Sequence, residues 1–320
     1  RGQLGRQRHP FRRESSTCKT LCRLLETMLA RGRRGYQTSA KALNYCVELV
    51  QERDVERYLC NLSAPAAVRP ALFALHAFNL ETARVRSSTR EPQIARMRFV
   101  WWRSTVTAAL RGEPPDNPVA QALAGAAAGG GLTGRFFHQM LEAREDDVDT
   151  TQPADRAELL RYCERTAGSL LHLSLEASGV AADEPTESAA LHVGCAVGIA
   201  TLLRGAAHHA EQGASYIPAD VAQRHGASLK QLLSGRRSAP LCDAAAELAH
   251  EATTHLLAAR ALAPDLSPQA RALLQPAVVA ELVLQRLQAH GYNVFAPELR
   301  EPLGLRLRTA LAWNAAFRSF

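Results

Sequence analysis

The sequence contains no useful stretch in which apolar and polar residues alternate with a period of two, and clusters of β-branched residues are scarce. Strands are therefore not predicted. The glycine-rich stretch "AAAGGG" at 126–131 predicts a helix end and a loop, because a phosphate-binding loop would need a preceding strand. No linker is long enough to divide the chain, so one folded body is expected.

The sequence also lacks the cysteine patterns of disulfide scaffolds. Its seven cysteines form no C-x-x-C pair and no even framework, and two of them, Cys18 and Cys22, lie near the start of the chain. We therefore predict reduced, mostly buried thiols.

Long apolar runs are missing as well. Spanning a bilayer takes roughly 20 consecutive apolar residues, and the best run, residues 193–203, is interrupted by glycines. Any contact with a membrane is therefore expected from one side only.

Acidic residues are almost absent from the start of the chain, and the basic character of the protein lies there. The first 41 residues carry 11 Lys or Arg and 2 acids, a net charge of +9, within a total of +7. The remaining residues therefore carry a net charge of −2. Because the folded part is slightly acidic, no nucleic acid partner is predicted.

Residues 1–40 have the composition of a mitochondrial transit peptide. They are rich in Arg, contain Ser and Thr, carry an apolar stripe and lack the continuous apolar core of a secretory signal. We predict cleavage between Arg34 and Ala40. A basic disordered arm that binds RNA is the alternative interpretation.

Helical periodicity is nearly continuous over residues 41–320 and predicts an all-α fold for this range. Helix starts are indicated at Ser63, at Pro92 and at Asp155. Helix ends are indicated by five glycines: Gly112, Gly179, Gly226, Gly235 and Gly291.

The acidic run "EAREDDVDT" at 142–150 has two interpretations. Several carboxylates close together could bind a cation. Such a run is more often the solvated end of a helix, and that is the prediction we favour.

Three separated segments carry the most specific pattern: "ALFALHAFNLETARVRSS" at 71–88, "LLRYCERTAGSLL" at 159–171 and "GCAVGIATLLRGAAHHAEQGASYIPAD" at 194–220. In order and spacing they resemble the squalene and phytoene synthases, and the resemblance covers residues 42–320. It implies a single-domain, isoprenoid-synthase-like helical bundle around a central cavity.

Enzymes of that family ionise a prenyl diphosphate with magnesium ions held by two pairs of acids, each at i and i+4 on one helix face. None of the four matching positions is acidic in this sequence: they are Ala83, Ser87, Gly205 and His209. The resemblance therefore implies a pseudoenzyme that has lost both Asp-rich motifs. No catalytic residue, metal or cofactor is predicted.

Glu81, Arg204 and Tyr216 are the candidate binding residues of the cavity. The adjacent His208 and His209 would point about 100° apart on a helix, and zinc would need further ligands from elsewhere. We therefore predict that these histidines are substitutions at an abandoned site and not a zinc site.

The stretch "YCVELVQERDVERYLCNLSAPAAVRPALFALHAFNLE" at 45–81 resembles a diverged branch of this superfamily that serves the assembly of mitochondrial complex I, NADH:ubiquinone oxidoreductase. This resemblance implies a non-catalytic scaffold, peripherally attached to the matrix side of the inner membrane, that acts early in building the membrane arm. It implies complex I subunits or other assembly factors as partners, with an apolar or prenyl ligand in the cavity as an option.

Two other functions remain open at this point. One is an active or residual prenyl-diphosphate transferase with substitute acids, Glu81 together with Glu145, Asp146 or Asp147. The sequence weighs against it, because none of these acids restores an i, i+4 pair on either motif helix. The other is an isoprenoid-binding carrier.

Overall fold

The computed structural model describes residues 40–89, 91–317 and 319–320. All but the last residue of the predicted transit peptide therefore lies outside the described residues. Sixteen α-helices and no strand occur in the described part, so the all-α prediction is confirmed. The helices are α1 (Ala40–Arg53), α2 (Val55–Ser63), α3 (Arg69–Ala83), α4 (Pro92–Leu110), α5 (Pro118–Ala127), α6 (Gly134–Asp146), α7 (Arg156–Cys163), α8 (Ser169–Ala177), α9 (Glu184–Arg204), α10 (Ala206–Glu211), α11 (Ala219–Arg224), α12 (Leu229–Leu232), α13 (Ala239–Ala261), α14 (Pro268–Leu273), α15 (Pro276–Ala289) and α16 (Gly304–Phe317).

Two of the three predicted helix starts are confirmed. Pro92 is the first residue of α4, and the Asp155 side chain caps α7 by accepting a backbone N–H of the first turn at 2.8 Å. The Ser63 prediction is wrong, because α2 ends at Ser63 and the next helix begins at Arg69. The Ser63 hydroxyl donates to the Cys60 carbonyl at 2.7 Å, so it binds an acceptor within α2 and does not cap the start of α3.

The predicted glycine ends are also confirmed. Four of the five glycines follow the last residue of a helix by two positions, and Gly235 follows the end of α12 by three. At Gly112, after α4, φ is +80°, a left-handed conformation that residues with a Cβ rarely adopt.

Helix α9 runs through the centre of the molecule and packs closely against the junction of α7 and α8. That junction is a π-helical turn, Glu164–Gly168. A Cβ atom added at Gly194 would lie 2.4 Å from the Cα of Gly168, and one added at Gly198 would lie 2.6 Å from the sulfur of Cys163. The two glycines therefore allow a backbone approach that any larger residue would prevent.

The prediction that no apolar segment is long enough to span a bilayer is wrong by length and composition alone. Helix α9, with 21 residues, is long and apolar enough by length and composition to cross a membrane. However, 67% of its apolar window is buried inside the protein, as in the core helix of many soluble proteins. The glycines that suggested an interruption lie within one continuous helix.

Two apolar clusters form the core. The first is built by α1, α3, α4, α5, α6 and α8, around residues such as Phe78 and Phe137. The second is built mainly by α9, α13, α15 and α16, around residues such as Ile199 and Leu241. The central cavity takes lining residues from both clusters and so lies where they meet.

The cysteine prediction is confirmed for the described residues. Five cysteines are present there, all of them buried and none in a disulfide: Cys46, Cys60, Cys163, Cys195 and Cys242. Burial raises the pKa of the Cys46 and Cys60 thiols to about 12, which keeps both thiols protonated and unreactive.

Candidate functional site

The central cavity has a volume of about 360 Å³ and is the candidate functional site. Its walls come mainly from α3, the π-helical turn, α8, α9 and α10, with single residues from α2, α4, α6, α7 and α15. One part of the lining is apolar, for example Phe99, Leu170 and Val197, and the other part is polar and charged. A cavity with this division suits a ligand that is itself part apolar and part polar.

The structure places the first pair of degenerate positions at the cavity but not on one helix. Ala83 is the last residue of α3, and Ser87 lies in a separate 3₁₀ turn, Arg86–Ser88. Because the α-helix ends between them, side chains at these positions are not related by the i, i+4 geometry of an α-helical acid pair.

The second pair is divided in a different way. His209 lies in α10 and lines the cavity, whereas Gly205, at the junction of α9 and α10, is not among the lining residues. A Cβ atom at Gly205 would lie 2.8 Å from the Nε2 atom of His209. The glycine therefore makes room for the present position of the imidazole.

Two of the three predicted cavity residues lie elsewhere. The Glu81 carboxylate accepts a hydrogen bond from the hydroxyl of Tyr45 on α1 at 3.3 Å. Arg204 donates to the buried Glu56 carboxylate at 3.1 Å and to the Leu299 carbonyl at 3.0 Å. Neither Glu81 nor Arg204 lines the cavity, and Arg204 instead ties α9 to α2 and to the C-terminal region.

Tyr216, the third candidate, does line the cavity and belongs to a buried polar network. Its hydroxyl donates a short hydrogen bond to Asp147, whose carboxylate also binds Arg86 at 2.8 Å. Arg86 further donates to the Thr150 carbonyl at 2.6 Å. Burial raises the pKa of Asp147 to about 6, although Arg86 and Tyr216 oppose the rise.

The other acids of the run at 142–150 are held by arginines. Asp146 and Glu142 both pair with Arg165, at 2.9 Å and 3.3 Å, and Glu145 pairs with Arg103 of α4. Among the described residues, no group of three or more His, Cys, Asp or Glu side chains could hold a metal ion. The acidic run is therefore engaged in ion pairs and offers no cation site.

Sequence reasoning missed one cavity residue in this same run, Arg144. It is 8% exposed and lines the cavity, while its acidic neighbours face outward. The signal was present in the helical periodicity: Phe137, Met140 and Leu141 form the buried face of α6, and Arg144 continues that face. Asp147 follows one turn later and is also buried.

The histidines do not converge on a common centre. His208 and His209 both line the cavity, and the His209 ring packs edge-on against Tyr216 with ring centroids 4.7 Å apart. Burial lowers the pKa of His209 to about 4, so the imidazole is neutral at physiological pH. His192, on α9, instead contacts His255 of α13 at 2.9 Å.

Comparisons with known proteins agree with this architecture. A family model described as "Squalene/phytoene synthase" matches residues 50–309. The Homo sapiens protein named "NADH dehydrogenase (ubiquinone) complex I, assembly factor 6" is 34% identical over 258 residues, 81% of this chain and 77% of its own. A Drosophila melanogaster homolog of that factor is 36% identical over 255 residues, 78% and 76% of the two chains. The crystal structure of a dehydrosqualene synthase superposes with a TM-score of 0.75 at 20% identity, over 87% of this chain and 96% of that one, which shows a common fold.

Proposed function

The chain belongs to the squalene/phytoene synthase family, and we propose that it is a non-catalytic member that serves as an assembly factor for respiratory complex I, NADH:ubiquinone oxidoreductase. The observation that carries this proposal is the similarity to proteins named complex I assembly factor 6. It reaches 34% identity over 81% of the chain in the human relative. Complex I subunits or other assembly factors are the proposed partners.

Magnesium, which the synthase fold family implies, does not fit the residues of this cavity. The four positions that would supply carboxylates are Ala, Ser, Gly and His. The carboxylates of the neighbouring run at 142–150 pair with arginines, and Asp147 is bound by both Arg86 and Tyr216. Magnesium needs oxygen ligands and gives up its water reluctantly. The absence of catalysis in this chain is therefore part of the proposal.

The proposed location is the mitochondrion, at the matrix side of the inner membrane. Residues 1–40 would act as the transit peptide, and the folded body would attach peripherally, since most of its apolar helix α9 is buried inside the protein. A fusion of residues 1–40 to a fluorescent protein tests import. Extraction of mitochondrial membranes with alkaline carbonate tests attachment: release supports a peripheral protein, and retention in the membrane pellet contradicts it.

The assembly role is tested by native-gel electrophoresis of respiratory complexes from cells depleted of this protein. We expect complex I to fall while the other complexes hold, and re-expression of the chain to restore it. Unchanged complex I after depletion would refute the assembly role.

A variant with acids restored separates assembly from catalysis. Ala83, Ser87, Gly205 and His209 are replaced together by Asp, which also removes the imidazole that an added Cβ at Gly205 would meet. We expect this variant to support complex I as well as the wild type does, because the role proposed here does not use these positions. Loss of complex I with a variant that still folds would contradict that picture.

A further inference from the structure

The outward face of α16 is apolar. Leu305, Trp313 and Phe317 are 75%, 64% and 62% exposed, and their spacing of eight and four residues puts them on one side of the helix. We call these three residues the α16 ridge. A surface helix normally carries polar residues on its outward face, so an exposed ridge of large apolar side chains indicates a contact surface.

The opposite face of α16 fixes the ridge on the protein. Leu307 and Leu311 are buried in the second apolar cluster. Just beyond the helix, the Ser319 carbonyl accepts a hydrogen bond from the Gln275 side chain at 2.8 Å. The ridge is therefore presented by a helix that packs on the body along its inner side.

The charge around the ridge has one sign. Residues 302–320 contain three arginines and no Asp or Glu. Arg306 and Arg308 are exposed, and neither forms an ion pair with an acid in the described part of the chain. Arg308 follows Leu305 by three positions and Arg306 precedes Trp313 by seven, so both arginines lie beside the ridge on the helix surface. A matching partner is apolar and negatively charged.

This charge decides between the possible occupants of the ridge. Two copies of the chain that met ridge to ridge would bring two basic, acid-free helices together, and like charges repel. Residues 1–41 carry a net charge of +9 and would be repelled in the same way. An anionic lipid surface supplies both negative head groups and hydrocarbon. Helices that lie in such a surface combine arginines with Trp, Phe and Leu, and Trp is favoured at the level of the head groups.

We propose that α16 is the surface through which the protein attaches to an anionic lipid bilayer. Leu305, Trp313 and Phe317 enter the lipid layer from one side, while Arg306 and Arg308 pair with phosphate groups of the lipids. The inference rests on the peripheral membrane attachment of the proposed function and names the surface responsible for it. It does not depend on the role in complex I.

Quenching of tryptophan fluorescence by brominated lipids tests the contact, because bromine quenches a tryptophan only at close range. The sequence contains Trp101 and Trp102 on α4 and Trp313 on α16, and none in residues 1–40. Quenching therefore reports contact of the folded body, whether or not the basic first residues also bind the vesicles. The sample is the purified 320-residue chain, and the vesicles are brominated phosphatidylglycerol and phosphatidylcholine in equal parts.

We expect these vesicles to quench the wild type. Trp313→Phe keeps an apolar ridge, so this variant should sediment with the vesicles as the wild type does but lose most of the quenching. Absence of quenching in the wild type, or equal quenching in Trp313→Phe, would overturn the proposal. Vesicles of brominated phosphatidylcholine alone should need at least tenfold more lipid for half-maximal quenching, and equal quenching there would show adsorption without a contribution from charge.

Two double variants keep Trp313 as the reporter. Arg306→Gln with Arg308→Gln should raise the lipid concentration for half-maximal quenching about 30-fold, since each basic residue near an anionic surface contributes about fivefold. Leu305→Gln with Phe317→Gln should raise it at least tenfold. Because all four side chains are exposed, circular dichroism should show folded proteins. A wild-type value in either variant would overturn the proposal.

The matched control is Met97→Gln on α4. Met97 is 63% exposed, as much as the ridge residues, but its helix belongs to the first apolar cluster. This control should be quenched as the wild type is. The same loss in Met97→Gln as in the ridge variants would show that exposed apolar residues in general bind the vesicles, and would contradict a specific surface.

Two further measurements separate this inference from its alternatives. A dimer in sedimentation velocity that Leu305→Gln with Phe317→Gln converts to a monomer would assign the ridge to a second copy and overturn the proposal. In mitochondria, a wild-type protein that carbonate releases, together with ridge variants that stay bound to untreated membranes, would overturn the surface and leave the proposed function intact. Unchanged complex I after depletion would refute that function without affecting the vesicle results.

Discussion

Replacing Gly194 by alanine should destabilise the whole protein through a single methyl group. The added Cβ would lie 2.4 Å from the Cα of Gly168 and 2.7 Å from its nitrogen. Both are backbone atoms of the π-helical turn, so no side-chain rotation can relieve the contact. Either α9 or the turn must move, and the turn carries the cavity residues Thr166 and Ala167.

The size of the effect follows from two opposing contributions. Overpacking of a well-packed interior costs roughly 1–3 kcal/mol, and a backbone-to-backbone contact belongs at the upper end. Alanine is favoured over glycine within a helix by about 1 kcal/mol, which offsets part of that cost. We therefore expect Gly194→Ala to lower the free energy of unfolding by about 2 kcal/mol, with a decrease in Tm of about 4 °C.

Urea unfolding followed by circular dichroism measures this difference. The control is Gly134→Ala at the start of α6, where the nearest neighbour of an added Cβ is the Leu110 side chain at an ordinary 3.6 Å. Gly134→Ala should be as stable as the wild type or slightly more stable. If Gly194→Ala shows the same midpoint as that control, the close approach of α9 to the turn does not limit stability as we infer.

Three further outcomes are expected. Leu203→Ala, at a position 3% exposed in the second cluster, should lower the free energy of unfolding by about 2–5 kcal/mol in the same urea assay; a change near zero would mean that this part of the core relaxes freely. Burial lowers the pKa of His209 to about 4 from an ordinary value of 6.5. The unfolded chain therefore binds more protons between these values, and stability falls as pH falls through that window. His209→Gln should show a shallower fall between pH 6.5 and 4 in thermal unfolding, and an identical slope would contradict the burial argument. Any stabilisation of the wild type by farnesyl diphosphate should be the same with magnesium as with a chelator. A rise in Tm that requires magnesium would support the alternative that the protein is an active prenyl-diphosphate transferase.

The fold class and several helix bounds could be predicted from the sequence, because they depend on local chemistry. Periodicity predicted the all-α body, and Pro92 and Asp155 marked real starts. Ser63 misled because a serine hydroxyl can bond a carbonyl at the end of a helix as well as an N–H at its start. The continuity of α9 was missed because its glycines serve a tertiary contact that no local pattern reveals.

The residues of the candidate site were harder to predict from the sequence than the fold, because neighbours in sequence point to different sides of a helix. Glu81 lies two positions before Ala83, about 200° around α3, and therefore faces α1 instead of the cavity. Arg204 precedes Gly205 by one position and is committed to Glu56. Arg144 was missed because the run at 142–150 is mostly acidic and was interpreted as a solvated helix end. Its helical spacing from Phe137, Met140 and Leu141 nevertheless placed it on the buried face of α6.

The early end of α3 limits what acids placed at Ala83 and Ser87 could do. Ser87 lies on a 3₁₀ turn, and Arg86 anchors that turn to Asp147 and Thr150. Aspartates at these two positions would lie on two different elements, and the Asp147 carboxylate already binds Arg86 and Tyr216. A single aspartate at any one of these positions would therefore not create a magnesium site, and binding of the ion would need a change of the backbone as well as of the side chains.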